Sequence, residues 1–258
     1  VDNMASWGLR YLSTEIYNKK PISDPHLMFM GIGDVKYDRA PLQVTQFEAD
    51  IRIAEQLTQI YLEKGGGGND CESYTLPWWF AAMHTKTDNY IKRGKKGFLF
   101  TIGDECAPVD ISAREIESVL GYRPQFDRIT TKELLDLVSE KYEVFHIIVG
   151  EGSYCNRYPE RVLNSWRNIL GERALFLRNH EDMAQLIVEI LQRYNDTDND
   201  LVCKDYNVAR EYNNSNHYSD YDNTRIKKKR KIGFLRFYVN IKLWRFGITE
   251  ECKSNNWS

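Results

Sequence analysis

Two phrases constrain this chain more than the rest of it: Phe29-Met30-Gly31-Ile32-Gly33-Asp34 and Phe98-Leu99-Phe100-Thr101-Ile102-Gly103-Asp104. Each is a short apolar run closed by a glycine and a carboxylate. A run without polar alternation suits a strand covered on both faces, as in a parallel sheet. Open α/β sheets gather their ligands beyond the C-terminal ends of such strands. Asp104 and Glu105 follow the second run at that end. Upstream, the glycines at 65–68 precede Asn69, Asp70 and Glu72, and four glycines let backbone approach a ligand without steric cost. Two oxygen-rich turns at one sheet edge would suit Mg2+, which takes one or two carboxylates plus waters. The plainer alternative is that 65–68 is a loose loop and Asp104 a turn former.

Around these phrases the chain alternates helix and strand patterns. Met4, Trp7, Tyr11 and Ile16 have helical spacing. Residues 41–45 suit an edge strand, where a proline is tolerated. Over 46–64, Phe47, Ile51, Ala54, Leu57 and Tyr61 recur every three or four residues and predict a long helix stopped by the glycines. A second helix is expected over 72–90, with Trp78 and Trp79 in the core and Pro77 about one turn in. Ser112-x-x-Glu115 and Thr130-x-x-Glu133 are capping boxes that each open a helix. Residues 144–149 read as a buried strand in which His146 is a hydrogen-bonded core histidine. A helix over 161–170, a strand over 174–177 and a helix capped by Asn179 complete the pattern. Alternation of this kind gives an α/β layer architecture with a mainly parallel sheet.

The chain has 258 residues, enough to bury a full core. Its formal net charge of −2 makes no global case for nucleic acid or membrane. Five cysteines without a C-x-x-C pair argue against a disulfide framework and for a reducing, cytoplasmic compartment. Cys71 and Cys106 each fall in one of the two site turns. They would approach each other there, or else be two unrelated small residues.

The phrases FMGIGD, RAPLQVTQFEADIRIAEQL, GGGGNDCES, KKGFLFTIGDE and SEKYEVFHIIV, with a terminal LG…N-H-x-D-M helix, resemble the von Willebrand factor type A (VWA) family in its intracellular and phage-type branch. The resemblance spans roughly residues 4–194. It implies a Rossmann-like doubly wound sheet with a metal-ion-dependent adhesion site (MIDAS) at its C-terminal edge, and a Mg2+-mediated (or Mn2+-mediated) protein-binding module rather than an enzyme. Asp104 matches the aspartate that closes the family's fourth strand, and Asn69, Asp70 and Glu72 lie in its second site loop. The first site phrase, D-x-S-x-S, is incomplete. Either Asp2-Asn3-Met4-Ala5-Ser6 stands for it, with Asp2 and Ser6 as ligands, or residues 4–7 match the stretch just after it. Without the strand that carries this motif the sheet would lose its centre, so a segment before Val1 is expected.

This reading divides the chain into a VWA-like domain at 1–194, a disordered acidic and Asn-rich linker at 195–224 and a basic aromatic tail at 225–258. In the tail, Lys227, Lys228, Lys229, Arg230 and Lys231 precede interleaved aromatic and aliphatic residues. Three uses remain open: an anionic membrane surface, a nuclear-import or nucleic-acid patch, and docking onto a partner or onto the domain itself. The expected function is a protein-interaction module that meets an acidic residue of its partner at the metal site, with Asp34 and Glu105 beside it. The alternative is a structural component of a larger assembly with a vestigial metal site. A metal-dependent hydrolase fits less well, because the chain has no H-E-x-x-H motif and no phosphate loop.

Overall fold

The computed structural model of the chain describes residues 2–61, 72–194 and 236–242, with the backbone alone at 2–7 and 236–242. The first helix, α1 (Asp2–Lys19), buries Leu9, Leu12 and Ile16 along one face. Strand β1 (His26–Ile32) follows, and β2 (Leu42–Val44) pairs antiparallel along its outer side. Next come the short helices α2 (Ile53–Leu57), α3 (Thr75–His84) and α4 (Asp88–Arg93), then the fully buried strand β3 (Gly97–Gly103). Beyond it, β4 (Asp110–Ser112), α5 (Ala113–Leu120) and β5 (Arg128–Thr130) fold so that β4 and β5 form a small antiparallel pair of their own. The chain continues through α6 (Thr131–Ser139), β6 (Tyr142–Val149), α7 (Ser153–Arg157) and α8 (Pro159–Leu170). It then runs through β7 (Ala174–Leu177) and α9 (Met183–Tyr194). The last described element, β8 (Arg236–Lys242), comes from the tail.

The main sheet has the order β2-β1-β8-β3-β6-β7. Strands β3, β6 and β7 are parallel, with Phe100 opposite Phe145 and Ile147 opposite Leu175. Strand β8 is antiparallel to both β1 and β3, facing all of β1 from His26 to Ile32 and β3 from Phe98 to Ile102. It follows that β1 runs in the same direction as β3. The mainly parallel sheet expected from the sequence is therefore found in the β3-β6-β7 part, while the other pairings are antiparallel. The centre of the sheet is also filled, by a tail strand lying between β1 and β3.

Alternation along the strands sorts the side chains into two cores. Leu27, Phe29, Phe98, Phe100, Phe145 and Ile147 pack with Leu12 of α1 and Ile187 of α9. Met28, Met30, Leu99, Val144 and Ile148 pack on the other side with Trp78, Leu134 and Trp166 from α3, α6 and α8. Helices thus flank both faces. Among the described residues no helix is long and apolar enough to cross a membrane.

Local signals translate directly where a side chain bonds its own backbone. Both capping boxes form: Ser112 and Thr130 accept from the backbone N–H of Glu115 and Glu133, whose carboxylates return the bond. Gly121 ends α5 in the left-handed conformation. Asn179 accepts from Glu181 N–H at the single turn that leads into α9. Two helices are shorter than their periodicity predicts. Of the helix expected over 46–64, residues 62–64 lie outside the described residues and the rest contains only α2; its N-terminal part is lost because Glu48 pairs with Leu27 through both backbone groups (2.8 and 2.9 Å) beside β1. Asp50 then forms a side-chain turn by accepting from Arg52 N–H. The helix expected over 72–90 is broken into α3 and α4. Its breaking residue, Thr85, is extended (φ −102°, ψ 139°) and buried, with its hydroxyl bonded to Ala81 O and the Tyr142 hydroxyl.

Candidate functional site

Both apolar phrases end at one edge. Since β1 and β3 are parallel in direction, Asp34 and Asp104 leave the sheet on the same side, together with the turn after β6. The segment Glu72-Ser73-Tyr74 crosses this edge. Ser73 N–H donates to Gly33 O (3.4 Å), and Ser73 Oγ accepts from Val35 N–H (3.1 Å). The Tyr74 hydroxyl lies over Gly103, where a Cβ would collide with it. The segment from Glu72 to Tyr74 and the carboxylate after β3 therefore meet at one rim, with Glu72, Asp34 and Asp104 all buried.

Asp104 is fixed from the α7 side. Its Oδ2 accepts from Tyr154 N–H (3.1 Å), and Cys155 N–H also donates to it. Gly152 must be glycine-sized, because a Cβ there would overlap the Asp104 carboxylate. Burial pushes the Asp104 carboxyl above the usual carboxylate range, and these backbone donors only partly oppose it. The neighbouring Cys155 thiol is pushed up to about 12, first by burial, then by the Asp104 charge and Cys106. It is a protonated, unreactive thiol.

Behind this rim sits an aromatic stack. His146 lies flat on Trp166, with ring centroids 3.5 Å apart and planes 10° from parallel. Tyr74 meets His146 edge-on at 5.3 Å and Trp166 at 5.4 Å. The His146 Nδ1 shares a 2.8 Å hydrogen bond with the Thr101 hydroxyl. Complete burial holds the imidazole well below its ordinary pKa, hence neutral. Trp166 Nε1–H donates to Glu105 O (2.9 Å), tying α8 to the turn after β3. The expectation of a hydrogen-bonded core histidine agrees with this arrangement.

The remaining sequence candidates fall as follows. Asp34 is buried, accepts from Lys36 N–H (2.7 Å) through Oδ1 and receives the Asp38 carboxylate on its own N–H. It shapes a turn inside the rim rather than facing outward. Glu105 is half-buried beside Asp104. Asp2 and Ser6 lie in the first turns of α1, on helical backbone and not on a strand-ending loop. Asn69, Asp70 and Cys71 fall outside the described residues, as do Lys227, Lys228, Lys229, Arg230 and Lys231. Among the described residues no group of three His, Cys, Asp or Glu side chains is placed to hold a metal ion. Sequence reasoning missed Tyr74, Gly152 and the backbone donors of Tyr154 and Cys155. The signal for the last three was the Gly150-Glu151-Gly152 turn directly after β6, which brings backbone close to Asp104.

Compared with models of protein families, with curated proteins and with solved structures, the chain matches none.

Proposed function

We propose that the chain is a VWA-like protein-interaction module, doubly wound in the Rossmann manner, that binds its partner at the C-terminal rim formed by Glu72–Tyr74, Asp104 and Glu105. The observation that carries this reading is the meeting of Ser73 with Gly33 and Val35, and of Tyr74 with Gly103. It sets Glu72–Tyr74 beside the turns after β1 and β3, on one edge of strands that run in a common direction. A binding role is favoured over catalysis by the chemistry at this rim: the thiol stays protonated and the imidazole is sealed between Trp166 and Tyr74.

The described carboxylates do not by themselves fit a Mg2+ site. Asp104 engages Oδ2 with the α7 backbone, and Asp34 engages Oδ1 with its own turn. Asn69 and Asp70 would have to complete any ligand set. Partner capture by the full chain, with Mg2+ and with EDTA, tests the reading alongside Glu72→Gln and Glu105→Ala. A partner lost in these variants at unchanged melting temperature supports the module, and sensitivity to EDTA adds the metal. Binding indifferent to both substitutions removes the rim from the interaction. A structural role in a larger assembly is then favoured, for which the backbone-bonded Asp104 is the supporting observation.

A further inference from the structure

Among the described elements, β8, which completes the main sheet, is separated from its predecessor by the most residues. Its neighbours, β1 and β3, are not paired with each other: β8 supplies every ladder contact between the β2-β1 pair and the β3-β6-β7 part. Each flanking strand is buried along its length, with Phe29, Met30, Leu99 and Phe100 inaccessible to solvent. The slot between them cannot stand empty, since it would leave two rows of buried backbone groups without partners. Yet β8 is joined to the preceding helix only through the long run 195–235. Such a connection fixes neither the identity nor the copy of the strand that fills the slot. The effective concentration of a segment for the rest of its own chain falls as the number of residues joining the two grows.

We propose that the β1–β3 slot is a strand-acceptor site whose second occupant is β8 of another copy of this chain, giving a reciprocal strand-exchanged dimer. Every copy carries both the slot and the strand, so exchange between two copies closes with all ladder pairs retained. The closed monomer and the exchanged dimer have the same contacts in the sheet. Exchange would keep the antiparallel register found within one chain, and chain concentration sets the balance between the two forms. The surface is continuous main chain, so recognition rests on backbone hydrogen bonds, as in strand-addition complexes.

The test uses the directly opposed pair Met28 and Asn240. Full-length Met28→Cys and Asn240→Cys chains are unfolded, mixed and refolded together over a range of concentrations. They are then treated with a short bifunctional thiol reagent, and the linked peptides are identified by mass spectrometry. The expected result is an interchain 28–240 link whose ratio to closed monomer rises about tenfold for each tenfold increase in refolding concentration. It should be absent when the two chains are refolded apart and mixed afterwards. A Met28→Cys/Asn240→Cys double variant refolded dilute should give the intrachain link. Failure of that intrachain link shows that β8 does not fill the slot and overturns the proposal. An intrachain link without any interchain link at the highest concentration also overturns it.

Discussion

The hydroxyl of Tyr74 rests on the α-carbon of Gly103, so the last residue of β3 has room for a hydrogen and nothing larger. This contact couples the segment Glu72–Tyr74 to the end of β3. Gly103→Ala must displace the Tyr74 ring from its edge-on contacts with His146 and Trp166, which are stacked on each other. Overpacking of this kind costs about 1–3 kcal/mol. The expected result in chemical denaturation is a loss in that range for Gly103→Ala, largely recovered in Gly103→Ala/Tyr74→Leu. Equal losses in the single and double variants would contradict the contact.

Asp104 gives a pH signature of defined sign. Its folded carboxyl lies above its unfolded value because of burial. Its favourable contribution is therefore complete below the unfolded pKa of about 3.9 and is lost as pH rises through the folded value. Asp104→Asn keeps an acceptor for the Tyr154 and Cys155 N–H groups but cannot ionise. The variant should gain stability relative to the parent chain as pH is raised from 4 to 8, read as a widening difference in melting temperature. A constant difference over that interval would show that Asp104 is not desolvated.

His146 acts in the opposite direction. An imidazole held neutral by burial binds a proton on unfolding. Its contribution is complete above the unfolded pKa of about 6.5 and falls away at lower pH. His146→Asn should lower stability at pH 7.5 by about 1–3 kcal/mol through lost packing against Trp166. It should also flatten the decline between pH 7 and 5. His84, lowered by partial burial, leaves a residual slope of the same sign. An unchanged slope in the variant would mean that another group carries the acid sensitivity.

The two capping boxes offer a calibration. Ser112→Ala and Thr130→Ala each remove the acceptor for an N3 amide and a hydroxyl that holds the reciprocal glutamate. Each should cost about 1 kcal/mol, and the two losses should add in the double variant within a few tenths. Thermal denaturation of the three variants checks both statements.

The central strand can be tested by backbone chemistry alone. Val239 faces Phe29 on one side and Phe100 on the other. Proline there removes a ladder donor in the middle of a sheet, where it is not tolerated. Val239→Pro should abolish the cooperative unfolding transition or lower its midpoint by many degrees. The same substitution in a dispensable tail would leave the melt unchanged.

How much of this was legible in the sequence depended on range. Strands β1, β3 and β6 were legible because an apolar run bounded by glycine or charge carries its own burial signal. The caps at Ser112 and Thr130 were legible because donor and acceptor lie three residues apart. The lost N-terminal end of the helix expected over 46–64 was not, because Glu48 is paired with Leu27, far away in sequence. The break at Thr85 was hidden for the same reason, since its hydroxyl partner Tyr142 belongs to another element. Residues Phe237, Tyr238, Val239 and Ile241 have the composition of a strand. Next to a basic run they were read as a surface, nucleic-acid or docking segment and not as a strand, because their partners β1 and β3 lie far away in sequence. At the rim, Asp104 was singled out from its place after Gly103 and Glu72 from the glycines at 65–68, and both are buried there. The donors that fix Asp104 are main-chain groups, which no side-chain pattern marks.

The position of β8 also sets an order of events during biosynthesis. A ribosome delivers β1, β3, β6 and β7, with all of their helices, before it makes the strand that joins the two parts of the sheet. Until then the nascent chain carries two open apolar edges facing each other, a form prone to pair with other unfinished chains. Closure waits for the pairing of β8 with β1, the most distant in sequence among the described strands, and pairings of high sequence separation slow folding. A premature stop anywhere before Arg236 would release a chain with a gap through its middle.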